Sequence, residues 1–144
     1  MTPKEYLQQY RDAVRRATAA QDHLAELRAM AERITPKYDG EPSGSHSSGD
    51  KLGAAVARIV DAETVVDAEI SLLIATAREV ENTIKGVKDS TLRTLLYERY
   101  INGKTFEQIA VQLNYSWRQT CRLHGVALAE VGKMIGQGGE KWNS

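Results

Sequence analysis

Two arginines and a glutamine lie within one helical turn of each other in the last third of the chain, at Arg118, Gln119 and Arg122. Arginine and glutamine are the side chains best suited to paired hydrogen bonds with the major-groove edges of guanine and adenine. In a helix these three positions project from the same side. Their types and spacing therefore predict a hydrogen-bonding surface rather than a set of reacting groups.

The residues that must position this surface form a short, well-marked segment. Thr105 is a good N-cap for a first helix. The inward positions of that helix are spaced three and four apart: Phe106, Ile109, Ala110 and Leu113. Asn114 tolerates the left-handed backbone of a tight turn, and Ser116 is a good N-cap for a second helix. The buried side of the second helix would hold Thr120, Leu123, Ala127 and Val131. The pattern predicts a helix-turn-helix, whose second helix enters the major groove of DNA.

This motif predicts two kinds of DNA contact. We expect Arg118, Gln119 and Arg122 to contact base edges, with Trp117 close by. Three further residues would lie against phosphates: Lys104, Thr105 and Ser116. The alternative is a generic helical core in which the arginines are a solvated surface and the tryptophan packs on the turn.

The same region resembles region four of sigma factors, which binds a promoter element through its helix-turn-helix. Residues 95–110 (LLYERYINGKTFEQIA) and 114–128 (NYSWRQTCRLHGVAL) carry this resemblance. Nearly the whole chain is similar to small phage and prophage regulators, the ArpU-like and RinA-like late-gene activators. In that family a helical part with a Gly/Ser-rich insertion precedes an R-Y-I-x-G helix and an I-A-x-x-L-x-Y-S turn, which stand here at 99–103 and 109–116. The resemblance implies transcriptional regulation, with double-stranded DNA and RNA polymerase as partners.

Charge is distributed in a way that fits this expectation. The 144-residue chain is formally neutral, but residues 1–87 hold 11 Lys/Arg against 14 Asp/Glu (−3) and residues 88–144 hold 8 against 5 (+3). The basic part coincides with the expected DNA-binding segment, as attraction to phosphates requires. Because an excess of three is small, we expect modest affinity that salt reduces strongly.

Two long upstream stretches place apolar residues at alternating steps of four and three, the seam of a coiled coil. The first runs from Tyr6 to Ile34, between Pro3 and Pro36, and the second from Leu52 to Val87. Asp50 is a suitable N-cap for the second helix and Gly86 marks its end. Residues 35–50, rich in Pro, Gly and Ser, are expected to form a flexible loop.

These features predict an all-α fold: a long antiparallel helical hairpin followed by a sigma-region-four-like helix-turn-helix. The expected domains are the hairpin (1–87), the DNA-binding domain (88–135) and a flexible tail (136–144). Additional apolar residues widen the second seam beyond what one partner helix covers: Val60, Val65, Leu72 and Ile74. We therefore expect a homodimer or a higher oligomer through the long helices.

Other functional classes have little support in the sequence. No nucleophile motif, phosphate-binding loop or paired carboxylate predicts an enzyme, and we expect no cofactor. His23, His46 and His124 lack ligand spacing, so no metal site is expected. A single cysteine, Cys121, fits a cytoplasmic protein, and no apolar run predicts a membrane span. Two alternatives remain: a small terminase-like DNA-packaging protein, and a coiled-coil interaction protein whose helix-turn-helix does not bind DNA.

Overall fold

Helices account for nearly all of the residues that the computed structural model describes, which are 1–34 and 45–136; for 45–48 only the backbone is described. The elements in chain order are α1 (Pro3–Ile34), α2 (Ser45–Lys85), α3 (Ser90–Leu96), a π-helical turn (Tyr97–Ile101), α4 (Phe106–Leu113) and α5 (Trp117–Gly136). No strand occurs in these two ranges, and the predicted all-α class is confirmed. Most of the predicted loop, 35–44, and residues 137–144 of the predicted tail lie outside the described residues.

The two long helices run antiparallel, as predicted. Near the start of α1, the Tyr6 hydroxyl lies 2.9 Å from the Thr83 hydroxyl of α2. Further along α1, Arg16 Nε lies 3.4 Å from Glu69 Oε2. Later residues of α1 therefore contact earlier residues of α2, so the two helices form an antiparallel hairpin.

The predicted start of α1 and the predicted end of α2 are confirmed, and one other predicted helix end is wrong. The first helix begins at Pro3 and is described as far as Ile34, and α2 ends at Lys85, directly before Gly86. The prediction of Asp50 as the N-cap of α2 is wrong, because that helix already begins at Ser45. Neither a proline nor a left-handed residue lies between Ser45 and Asp50, so nothing in the backbone stops the earlier start.

The structure divides into two compact units. Neither unit begins or ends at residue 87, the predicted domain boundary. The middle unit is Val14–Leu72, and the terminal unit is Met1–Ala13 with Leu73–Ser144. In the middle unit, Leu24 of α1 packs against Ala62 and Val66 of α2.

The core of the terminal unit combines the ends of the hairpin with the C-terminal helices. Leu7 and Ile84 come from α1 and α2, while Leu96 and Val131 come from α3 and α5, and all four are almost completely buried. The predicted boundary at 87 passes through this core. The first turns of α1 and the last turns of α2 thus support the helices that carry the candidate site.

Candidate nucleic-acid interface

The start of α4 is fixed by a reciprocal pair of hydrogen bonds. The Thr105 hydroxyl oxygen accepts from the Gln108 backbone N–H at 3.1 Å, and Gln108 Oε1 accepts from the Thr105 backbone N–H at 2.9 Å. This capping box satisfies two N–H groups that have no partner within the helix. The predicted N-cap at Thr105 is confirmed.

A three-residue turn joins α4 to α5 and has the predicted conformation. Asn114 has φ 61° and ψ 40°, the left-handed backbone that lets the chain leave α4. Tyr115 N–H donates to the Ala110 carbonyl at 2.9 Å, which closes the end of α4. The Ser116 hydroxyl oxygen then accepts from the Gln119 N–H at 3.0 Å and caps α5.

The inward side of α5 is buried as the spacing predicts. Thr120, Ala127 and Val131 are fully buried, and Leu123 packs partly buried against the same core. The Thr120 hydroxyl donates to the Ser116 carbonyl at 2.9 Å, so its burial leaves no donor unpaired. This face fixes the rotation of α5 about its axis, and with it the direction of the opposite face.

The opposite side of α5, which we call the outer face, consists of Trp117, Arg118, Gln119, Arg122 and Val126. The two arginines are exposed, Trp117 is 55% exposed and Gln119 is half-buried. Arg122 Nε donates to Gln119 Oε1 at 3.0 Å. Arg118 makes no hydrogen bond or ion pair with any described residue, so its guanidinium is open to a ligand. The structure thus brings together the three residues that were predicted to contact base edges, with Trp117 beside them.

The three predicted phosphate contacts differ in availability. Thr105 and Ser116 are exposed, and because their oxygens act as acceptors in the caps, each hydroxyl proton remains free to donate. Lys104 forms an ion pair with Glu98 and donates to Gln112 Oε1 at 2.9 Å. The hydrogen bond from Lys104 lowers the pKa of Glu98 against the opposing effect of burial. Glu98 therefore compensates the charge of Lys104 in this structure.

A partly buried cluster, which no sequence pattern predicts, anchors α5. The Tyr100 hydroxyl lies 2.7 Å from His124 Nε2. The Phe106 ring meets the His124 ring edge-on at 4.8 Å between centroids, and the Arg99 guanidinium lies 4.3 Å from the centroid of Phe106. The cluster joins the π-helical turn, α4 and α5. The one sign of this cluster in the sequence is that His124 lies four residues after Thr120, on the buried side of α5.

Burial sets the protonation of both polar members of this cluster. Desolvation, assisted by the positive charges of Arg99 and Lys4, lowers the pKa of His124 to about 4. Desolvation raises the pKa of Tyr100 to about 12. At neutral pH the contact is therefore a hydrogen bond between a neutral phenol and a neutral imidazole.

Three other arginines of the terminal unit donate to its own backbone. Arg93 Nη1 donates to the Val87 carbonyl at 2.8 Å, Arg99 Nη1 to the Lys104 carbonyl at 2.9 Å and Arg11 Nη1 to the Ile101 carbonyl at 3.3 Å. These guanidiniums cap carbonyl groups that lack a helical partner. Arg118 and Arg122 remain as the cations presented by the outer face.

Within 1–34 and 45–136 no three His, Cys, Asp or Glu residues come close enough together to hold a metal ion. In the same ranges, no helix combines the length and apolar character needed to cross a membrane.

Comparison with protein-family models, curated proteins and solved structures found no match. The resemblance to sigma region four and to phage late-gene activators therefore rests on the sequence motifs alone and stays a prediction.

Proposed function

We propose that this protein is a sequence-specific DNA-binding regulator of transcription, of the phage or prophage type, that binds the major groove with the outer face of α5. Its partners would be double-stranded DNA, further copies of the same chain and RNA polymerase. In this proposal the protein acts in the cytoplasm, binds no cofactor and catalyses no reaction.

The observation that carries the proposal is the division of α5 into two faces. Thr120, Ala127 and Val131 are fully buried, while Arg118 and Arg122 on the other side are exposed. The short turn that precedes α5 and the capped helix before it match the order of elements in a helix-turn-helix. The side chains nearest the start of α5 are those that approach base edges in this motif.

The small number of available cations sets the expected affinity. Each neutralised phosphate contributes about −0.9 to the slope of log K against log salt concentration. If both arginines of a subunit lay against phosphates, the slope would be near −2, a roughly tenfold loss of affinity between about 50 and 200 mM salt. Contacts to base edges do not add to the slope, so this is the steepest salt dependence expected from the outer face of one subunit. A dimer would double the slope, so oligomerisation would raise both affinity and salt dependence.

Selection of bound duplexes from a random pool, followed by binding measurements with Arg118→Ala, tests this function. We expect the variant to lose about 1–3 kcal/mol on the selected site and much less on scrambled DNA. Arg28→Ala is a matched control, because Arg28 is also an exposed helical arginine but lies in the middle unit. If the wild type shows no mobility shift even at about 50 mM salt, where phosphate contacts are strongest, the chain is better described as an interaction protein that does not bind DNA.

The middle unit supports the proposal of self-association. Val56, Val60, Val65 and Leu72 of α2 are each about half exposed although they are large and apolar. They form two stripes, because Val56 and Val60 are one helical turn apart, whereas Val60 and Val65 differ by about 140° around the axis. Burying either stripe against another copy would remove apolar surface from water.

The presence of two stripes also favours a second candidate function, that of a ring-forming DNA-packaging protein. A two-fold dimer uses one surface on both subunits, whereas a closed ring uses two different surfaces on each subunit. Stripes on two sides of one helix suit the second geometry. Such a ring, joined to a DNA-binding segment, is the architecture expected of a small terminase-like protein.

Light scattering with two single variants distinguishes these assemblies. For a dimer we expect either Val60→Glu or Val65→Glu, but not both, to give monomers. For a ring, either substitution should open the assembly. A monomeric mass for the wild type at micromolar concentration would refute self-association.

A further inference from the structure

The two capped helices α4 and α5 begin with the same local sequence pattern but use it differently. Thr105 is followed three residues later by Gln108, and Ser116 three residues later by Gln119. At α4 the glutamine side chain closes the capping box by accepting from the Thr105 N–H at 2.9 Å. At α5 the Gln119 side chain instead accepts from Arg122 Nε at 3.0 Å. The second glutamine is thus turned from its own helix cap toward the outer face.

This hydrogen bond determines which groups Arg122 and Gln119 present to a ligand. Arginine has five N–H donors, and the bond to Gln119 uses the one on Nε. The end of the guanidinium, formed by Nη1 and Nη2, remains available as a two-pronged donor. The Gln119 carbonyl oxygen accepts one hydrogen bond from Arg122 and keeps one lone pair, while its NH₂ group supplies two donors. Together with Arg118, the outer face therefore offers many more donors than acceptors.

A surface made mainly of hydrogen-bond donors does not suit all bases equally. Guanine presents two acceptors in the major groove, O6 and N7, whereas adenine presents one acceptor and the N6 amino donor. A paired contact between glutamine and adenine requires the glutamine carbonyl to accept from N6. Here that carbonyl accepts from Arg122 Nε, which leaves the two-pronged Nη end of Arg122 as the main donor group of the pair. We propose that the Gln119–Arg122 pair makes the outer face selective for guanine over adenine at the base pair that Arg122 contacts.

This inference rests on the proposed function and adds the base that is recognised. The position of Arg118, four residues before Arg122, extends it along the groove. Four residues advance a helix by about 6 Å, which is close to two base-pair steps of about 3.4 Å each. Two guanines separated by one or two steps on the contacted strand are the expected signature.

The test uses sites selected by the wild-type protein from a random duplex pool, with binding then measured on duplexes in which one guanine is changed to adenine. For the wild type we expect the guanine-to-adenine change at the base pair that Arg122 contacts to lower the binding affinity about tenfold or more. A good paired contact discriminates between bases by that much. Gln119→Ala should retain the guanine preference with affinity several-fold weaker. Arg122→Ala should release the Gln119 carbonyl and shift the preference at this position toward adenine. Each preference is the ratio of the affinities of one variant for the guanine and the adenine duplex. The general loss of affinity caused by removing the Arg122 charge therefore cancels from this ratio.

Several results would overturn the inference, and they differ from those that would overturn the proposed function. A wild-type site with adenine at this position, lost in Gln119→Ala and kept in Arg122→Ala, would show that Gln119 acts alone. A selected consensus without guanine would refute the inference while leaving sequence-specific DNA binding intact. Failure of the wild type to bind any duplex would refute both.

Discussion

The neutral, partly buried state of His124 predicts that acid loosens the support of the outer face. The pKa of His124 is about 4 in the folded protein, compared with 6.5 for an unperturbed histidine. Between these values the unfolded chain binds the proton and the folded chain does not, so the free energy of unfolding falls as pH falls from 6.5 to 4. This contribution to stability is fully present above pH 6.5 and is lost by about pH 4.

The size of the effect follows from the difference between these two pKa values. At 1.36 kcal/mol per pH unit, the difference of about 2.5 units gives at most about 3.4 kcal/mol. The ring is partly exposed and its positive neighbours are screened by solvent, so we expect about 1–2 kcal/mol. Because the pKa of Glu98 is lowered from 4.5, its contribution is lost only below that pH. The interval from pH 6.5 to 5 is therefore dominated by His124.

Urea unfolding at several pH values, compared between wild type and His124→Gln, measures this effect. The variant should lose most of the pH dependence between 6.5 and 5, because glutamine does not titrate. His23→Gln is the matched control, since His23 is exposed and lies in the middle unit. An NMR titration midpoint for His124 close to 6.5, or equal pH dependence in wild type and variant, would refute the reasoning.

Three further substitutions test the local structure around the candidate interface, each by urea unfolding. Thr105→Ala should lower the free energy of unfolding by about 1 kcal/mol, because it removes the hydroxyl that accepts from the Gln108 N–H. No measurable loss would show that this half of the capping box contributes nothing. Asn114→Ala should have a free energy of unfolding about 1 kcal/mol lower than Asn114→Gly, since glycine adopts a positive φ freely and alanine does not. Equal stability of the two variants would contradict the left-handed turn. Thr120→Val should change stability by no more than about 0.5 kcal/mol, because the Ser116 carbonyl that its hydroxyl contacts also accepts from the Thr120 N–H; a loss of about 2 kcal/mol would reveal a second partner for the hydroxyl.

Sequence patterns predicted the features that depend on neighbours along the chain. The N-caps at Thr105 and Ser116 and the left-handed Asn114 each depend on groups within four residues. The hairpin followed from seams repeated over many turns. Such signals are visible in a sequence because the interacting residues have fixed separations along the chain.

Features set by tertiary contact were not predictable in this way. The hydrogen bond between Tyr100 and His124 joins residues 24 positions apart. The ion pair of Lys104 with Glu98 depends on the π-helical turn that carries Glu98, and no spacing rule indicated that turn. The unit boundaries likewise depend on how the first turns of α1 pack with residues more than 70 positions later. These contacts decide how each basic residue is partnered, and they pair Lys104, a predicted phosphate contact, with Glu98.

If the outer face of α5 is the surface that meets DNA, a chemical-shift titration would show this most directly. Backbone amides of the isotopically labelled protein would be followed as a selected duplex is added, with a scrambled duplex alongside. We predict that the largest shifts specific to the selected duplex fall on residues 116–122, together with the indole N–H of Trp117. Shifts concentrated instead on the exposed apolar stripes of α2, with residues 116–122 unchanged, would contradict the account.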